Sequence, residues 1–166
     1  MVLWFVGAGV VAVWVVFRSP ALDYRLVALG AVLPVGEAAL GGPRVLHTLA
    51  APVVALVVVM AATRRRRLLR RRWLGLPIGL FVHLVLDGTW ARAHLFWWPL
   101  FGASFAHGQV PELTRGGWGW ALEVIGLLCI FGMVKRFRLY EPARRKAFLR
   151  TGQFSRDLAR GPEAGC

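Results

Sequence analysis

Between Arg44 and Arg64 the chain runs for 19 residues without a charged side chain, and 7 arginines then fall in the 9 positions from Arg64 to Arg72. That arrangement restricts the fold sharply. The hydrocarbon core of a bilayer takes a helix of roughly 20 mostly apolar residues, and a dense cationic block is what ends such a helix at a membrane surface. The same alternation of apolar run and basic block extends along the chain. It predicts helices over about Val2 to Phe17, Leu26 to Leu40, Val45 to Ala62, Leu74 to Trp90 and Trp118 to Val134. A shorter apolar run, Leu95 to Ala106, is too short to span and should be re-entrant or interfacial. The second helix, broken by Gly30, Pro34, Gly36 and Glu37, should be kinked and face protein. The expected architecture is an all-α integral membrane helical bundle of about five transmembrane helices over residues 1–138, with a basic tail over 139–166 lying at the surface or partly disordered. Composition agrees: 57% of residues are apolar and 17% charged, with a mean hydropathy of +0.57, unlike an ordinary soluble domain. Met1 to Phe17 has no basic residues before it and no small-residue cleavage site after it, so it reads as a retained helix and not a signal peptide.

The net charge of +13 is distributed by topology. Arg18 and Arg25 fall between helices one and two, the 7 arginines between three and four, and 9 more basic residues after helix five; Arg44, Arg92 and Arg115 alone fall on the opposite side. Basic residues near helix ends stay cytoplasmic, which puts the N-terminus outside and the C-terminus inside. The blocks read as topology determinants that also bind anionic lipid. Nucleic acid is not the expected partner, because the cations lie between apolar runs and not along one soluble face. Trp90, Trp97, Trp98, Trp118 and Trp120 would form the outer aromatic belt. Cys129 lies in an apolar run and Cys166 is the last residue, so neither a disulfide framework nor a thiolate metal site is indicated.

A carboxylate or imidazole inside a bilayer costs several kcal/mol unless it is paired, protonated or bound to a metal. Glu37, His83, Asp87 and Glu123 fall within the predicted helices, and His47 enters at the outer end of the third. The topology brings them to a similar depth, from the bilayer middle outward. His83-Leu84-Val85-Leu86-Asp87 places an imidazole and a carboxylate four residues apart on one helical face, about 6 Å between Cβ atoms. A divalent ion, zinc among them, accepts both donor types, and His47 and Glu37 can supply a third and fourth across the Gly41-Gly42-Pro43 turn. A second reading has His83 and Asp87 simply hydrogen-bonded to each other in a polar pocket. Asp23 is expected to cap the second helix. Glu123 reads as a cation partner or a protonated acid, and His94 and His107 as a base, an extra ligand or solvated interface residues. Arg92 reads as a partner of Asp87, a holder of an anionic group or a headgroup anchor.

Four elements in order, Leu33-Pro34-Val35-Gly36-Glu37, Pro43-Arg44-Val45-Leu46-His47-Thr48, His83 to Asp87 and Phe96-Trp97-Trp98-Pro99, carry a family resemblance. The stretch from Asp23 to Phe101 resembles the membrane-bound metal-dependent hydrolases of bacterial inner membranes, the YdjM-like proteins. That family shows a Pro-Asp-x-Asp element, a His-Arg-Gly-x-Thr-His-Ser element, a His-x-x-x-Asp helix and an aromatic-Pro segment. Val35, Glu37 and Pro43 stand here where the family has aspartate, aspartate and histidine. The resemblance implies a hydrolase in a bacterial inner membrane, its ion held by Glu37, His47, His83 and Asp87, with Arg44 or Arg92 orienting an anionic group. A site opening toward the outer leaflet points to a lipid or cell-envelope phosphoester or amide. The rival reading is a non-catalytic multi-pass protein with a structural polar network or a closed metal site. Broken helices and intramembrane acids are also features of transporters, although the sequence has no internal repeat.

Overall fold

The computed structural model describes residues 1–39, 45–100 and 117–159, and all regular structure among them is helical. The helices are α1 (Val2–Phe17), α2 (Tyr24–Val32), α3 (Val35–Ala39), α4 (Ala50–Ala62), α5 (Arg67–Trp73), α6 (Gly75–Asp87), α7 (Ala93–Phe96), α8 (Trp118–Arg136), α9 (Pro142–Thr151) and α10 (Arg156–Ala159). Short 3-10 turns cover Val45–His47 and Thr89–Ala91.

The apolar runs are helical where the sequence expects, but their ends differ. Pro34 has no backbone N–H to continue the ladder, and the second run is cut into α2 and α3. The third run begins with the 3-10 turn, where Thr48 Oγ1 donates to the Val45 carbonyl at 2.7 Å and Leu49 N–H to the Phe96 carbonyl at 2.9 Å. α6 stops at Gly88, whose φ of 74° is left-handed. α1 keeps its expected 16 residues, whereas these breaks leave α4 and α6 at 13 each. Five spanning helices are expected from the sequence; among the described residues one, the 19-residue α8, is long and apolar enough to cross a membrane.

Glycines set the packing. A Cβ on Gly79 would collide with the Val27 carbonyl, and one on Gly30 with the Leu76 carbonyl, so α2 and α6 run in the same direction with their backbones in contact. Gly7 and Gly126 bring α1 and α8 together in the same way. α1 and α2 are antiparallel, with Gly9 against Ala31 and Trp14 against Tyr24. Asp23, Arg25, Arg72 and the start of α6 thereby share one end of the bundle, and Glu37, His47 and Asp87 gather at the other.

The arginine end holds an aromatic core. Phe137 stacks on Phe154 at 4.1 Å and meets Trp14 edge-on at 4.8 Å, while Tyr24 lies 4.3 Å from Phe154. Phe154 belongs to the segment expected to lie at the surface, yet it is only 4% exposed. Gly152, at φ 71°, turns the chain after α9, and its carbonyl accepts from Tyr24 N–H at 2.8 Å. Elsewhere large apolar side chains lie at the surface and several polar ones inside. Val54, Val57 and Val58 on α4 and Leu128 and Phe131 on α8 are exposed, whereas His47, His83, Asp87 and Thr89 are buried.

Candidate metal centre

Gly75, Gly79, His83 and Asp87 recur every four residues on α6 and so lie along one face. The two glycines let that face press against α2, and His83 reaches the Ala31 carbonyl at 2.7 Å. Ala31 lies in the last turn of α2, where carbonyls lack intrahelical donors. A carbonyl only accepts, so His83 Nδ1 donates this bond. Phe5 of α1 covers the ring, with centroids 4.1 Å apart.

The 3-10 turn sets His47 against His83, ring centroids 5.2 Å apart and planes at 82°. His47 Nδ1 lies 2.8 Å from Glu37 Oε2, and Glu37 Oε1 accepts the Leu46 N–H at 2.8 Å. The carboxylate thus pairs with His47 Nδ1 through one oxygen and with the backbone through the other. Thr89 Oγ1 donates to Asp87 Oδ2 at 2.9 Å. Ligand atoms of His47, His83 and Asp87 all lie within 4.8 Å of one another, and all three residues are buried.

This donor set suits a divalent ion. Two imidazoles and one carboxylate form a three-ligand pattern found in catalytic zinc sites. Bonds of about 2.0–2.2 Å in a tetrahedron require donor separations of roughly 3.3–3.6 Å, and the donor atoms here lie within 4.8 Å of one another.

The residues singled out from the sequence divide into groups. His47, His83 and Asp87 converge. Glu37, expected as a donor, sits behind His47 and holds its ring; the hydrogen bond to Leu46 N–H fixes that position. Arg92 and His94 are exposed at the same end, on and beside α7. Arg44, His107 and the Gly41-Gly42-Pro43 turn lie outside the described residues. Glu123 caps α1: Oε2 accepts Leu3 N–H at 3.0 Å, and Oε1 lies 3.1 Å from the Met1 amino nitrogen. Phe5, Thr89 and the Ala31 carbonyl are contributors that the sequence reading lacks. Thr89, two residues from Asp87, had a local signal; Phe5 and Ala31 had none, because their roles arise from helix packing.

At the opposite end Asp23 caps α2, Oδ1 accepting Arg25 N–H at 3.1 Å, and pairs with Arg25 and Arg72 at 2.9 Å each. Burial alone would raise its pKa, but hydrogen bonds from the two guanidinium groups outweigh it and hold the carboxyl below its ordinary value. The chain matches no protein-family model, no curated protein and no solved structure.

Proposed function

We propose that this protein is a multi-pass membrane protein of a bacterial inner membrane and a metal-dependent hydrolase of a lipid or cell-envelope substrate. His47, His83 and Asp87 would hold the ion, and Glu37 would orient His47. The observation that carries the reading is the convergence of two imidazoles and a carboxylate, from positions up to 40 residues apart, in one buried cluster. The membrane part is supported by the apolar residues exposed on α4 and α8, by the length and hydropathy of α8, and by the gathering of arginines at one end. The hydrolytic part is supported by the two-imidazole, one-carboxylate donor set, which is the pattern of catalytic zinc sites, and by the resemblance to the YdjM-like proteins.

His47, His83 and Asp87 would hold a divalent ion, and the chemistry it would supply when bound is Lewis acidity toward a carbonyl or phosphoryl oxygen and toward water. The chain's own groups do the rest. The bonds from His47 to Glu37 and from His83 to Ala31 hold both rings in place. Thr89 fixes one oxygen of Asp87. Phe5 keeps water from the His83 face. Arg92, exposed at the same end, and Arg44 are the cations that would orient an anionic group of the substrate.

The same hydrogen bonds also favour a second reading, a structural polar network without catalysis, because each of these side chains already has a protein partner. Protein purified in detergent without chelator separates the two. Close to one divalent ion per chain, lost in His83→Ala and in Asp87→Ala, is expected, together with metal-dependent product release from phospholipid vesicles. A metal-free wild type of full stability would leave only the structural network.

A further inference from the structure

Asp23, at the start of α2, is buried, and both of its oxygens are filled by arginines. Oδ1 accepts from the Arg25 backbone and Nε, and Oδ2 from Arg25 Nη2 and Arg72 Nε. Arg25 Nη1 donates to the Leu149 carbonyl, so every side-chain nitrogen of Arg25 is engaged. Arg72 differs. Its Nε alone is engaged; Nη1 and Nη2 form no hydrogen bond among the described residues, and the side chain is 47% exposed. A guanidinium group fixed at Nε still presents its two terminal nitrogens side by side, an edge that takes two oxygens of a carboxylate or phosphate. Two guanidinium groups against one carboxylate also leave this cluster with a net positive charge.

The three charged residues form one wall of a recess of about 610 Å³, whose other lining residues are Leu26, Leu29 and Trp73. Leu29 and Trp73 are exposed. Leu26 and Leu29 are three apart on α2, and Leu33, also exposed, follows four positions later, so the three share one face of the helix and its end. That face runs away from the arginine end for about 10 Å, from Leu26 to Leu33 at 1.5 Å per residue. In the proposed topology the arginine end is the cytoplasmic surface, and the leucine stripe leads from it toward the bilayer middle, about 15 Å away. A cation at the surface, a tryptophan beside it and an apolar stripe descending from both follow the polarity of a phospholipid in that leaflet.

We propose that this recess binds one anionic phospholipid of the cytoplasmic leaflet, with its phosphodiester on Arg72 Nη1 and Nη2 and an acyl chain along Leu26, Leu29 and Leu33. Attraction of anionic lipid by the basic blocks as a whole is a matter of summed charge; here a single arginine, held by Asp23, carries the contact. A phosphate anion without chains would meet the same guanidinium group but leave the stripe uncovered. The lipid as occupant rests on the membrane reading; the placement of Arg72 does not.

The test uses the full chain in detergent with an equimolar mixture of phosphatidylglycerol and phosphatidylcholine, read by native mass spectrometry. One phosphatidylglycerol should stay bound per chain. Arg72→Gln should lower its occupancy several-fold, and Arg72→Lys should lower it as well although the charge is kept, because an ammonium group lacks the fork. Arg71→Gln, which removes the same charge from the neighbouring exposed position of α5, should change little. Equal loss in Arg71→Gln and Arg72→Gln would reduce the effect to summed charge and overturn the site, as would equal occupancy by the two lipids. Displacement by inorganic phosphate or glycerophosphoglycerol as readily as by phosphatidylglycerol would overturn the lipid in favour of a plain anion site. Arg72→Gln also removes a bond to Asp23, so a melting temperature accompanies each variant. Leu29→Asn, at an exposed position outside the ion pairs, should lower occupancy several-fold and carries the test if Arg72→Gln does not fold; unchanged occupancy there overturns the acyl-chain contact. Alkaline carbonate extraction of membranes from the same cells keeps the two readings apart. A chain released by carbonate removes the membrane reading and the lipid with it, whereas a chain retained, with equal occupancy in all variants, removes this site alone.

Discussion

On the proposed metal reading, Glu37 would act through His47. Both oxygens are engaged, one with the Leu46 N–H and one with His47 Nδ1, so it fixes the angle of His47. Such supporting groups typically change metal affinity by about 10–100-fold when altered. Glu37→Gln should therefore weaken metal binding by about that range without abolishing it, whereas His83→Ala should abolish it; titration with zinc in detergent distinguishes the two. Equal loss in both variants would return Glu37 to the donor set. Asp23 yields a prediction of a different kind. Its folded pKa is lowered, so the stability it contributes is complete above its unfolded value of about 3.9 and is lost as pH falls through the folded value. Melting temperature should drop on acidification below about pH 4 more steeply in the wild type than in Asp23→Asn, and parallel curves would show that the carboxylate is not what titrates.

At the scale of elements, the contact between α2 and α6 positions the chemistry. Gly30 and Gly79 touch backbone to backbone, and the same α6 face then carries His83 to Ala31 and Asp87 to Thr89. A Cβ at Gly79 has no space beside the Val27 carbonyl, so the helices must separate. Gly79→Ala should cost about 1–3 kcal/mol by overpacking and should also lower metal affinity, although residue 79 is one full turn from the nearest donor. Gly36→Ala is the control, since nothing lies near its added Cβ. Full metal affinity in Gly79→Ala would mean that the donors are held by something other than this contact.

For the whole molecule, the chain beyond α8 is part of the packing. Phe154 lies between Tyr24, Phe137 and Phe148 and is 4% exposed, so Phe154→Ala should destabilise the protein by about 3–5 kcal/mol, read as a lower melting temperature in detergent. A shift no larger than that of an exposed control such as Leu149→Ala would detach the segment from the core. The proposed membrane topology has its own test. A reporter active only in the cytoplasm should work when fused after Arg72 or after Cys166 and fail at Gly42, because 18 of the 21 basic residues fall on one side of the alternating runs. Activity at Gly42 would invert the orientation.

The sequence by itself determined that the chain is helical, where its apolar runs fall, which way its charge is distributed and which polar residues need an explanation. These properties are local: a 3.6-residue period, a block of arginines, an Asp23 cap and a His83–Asp87 spacing are read within one or two turns of helix. The tertiary structure decided what those residues do together. Only the helix packing brings His47 to His83 across 36 positions of chain, sets Glu37 against His47 and buries Phe154 with Trp14 and Phe137. The physical reason is that a spacing of four fixes which side chains share a face but not how closely a neighbouring helix approaches it. That distance was set here by two glycines and a proline, residues whose influence lies in the space and the hydrogen bond they leave out.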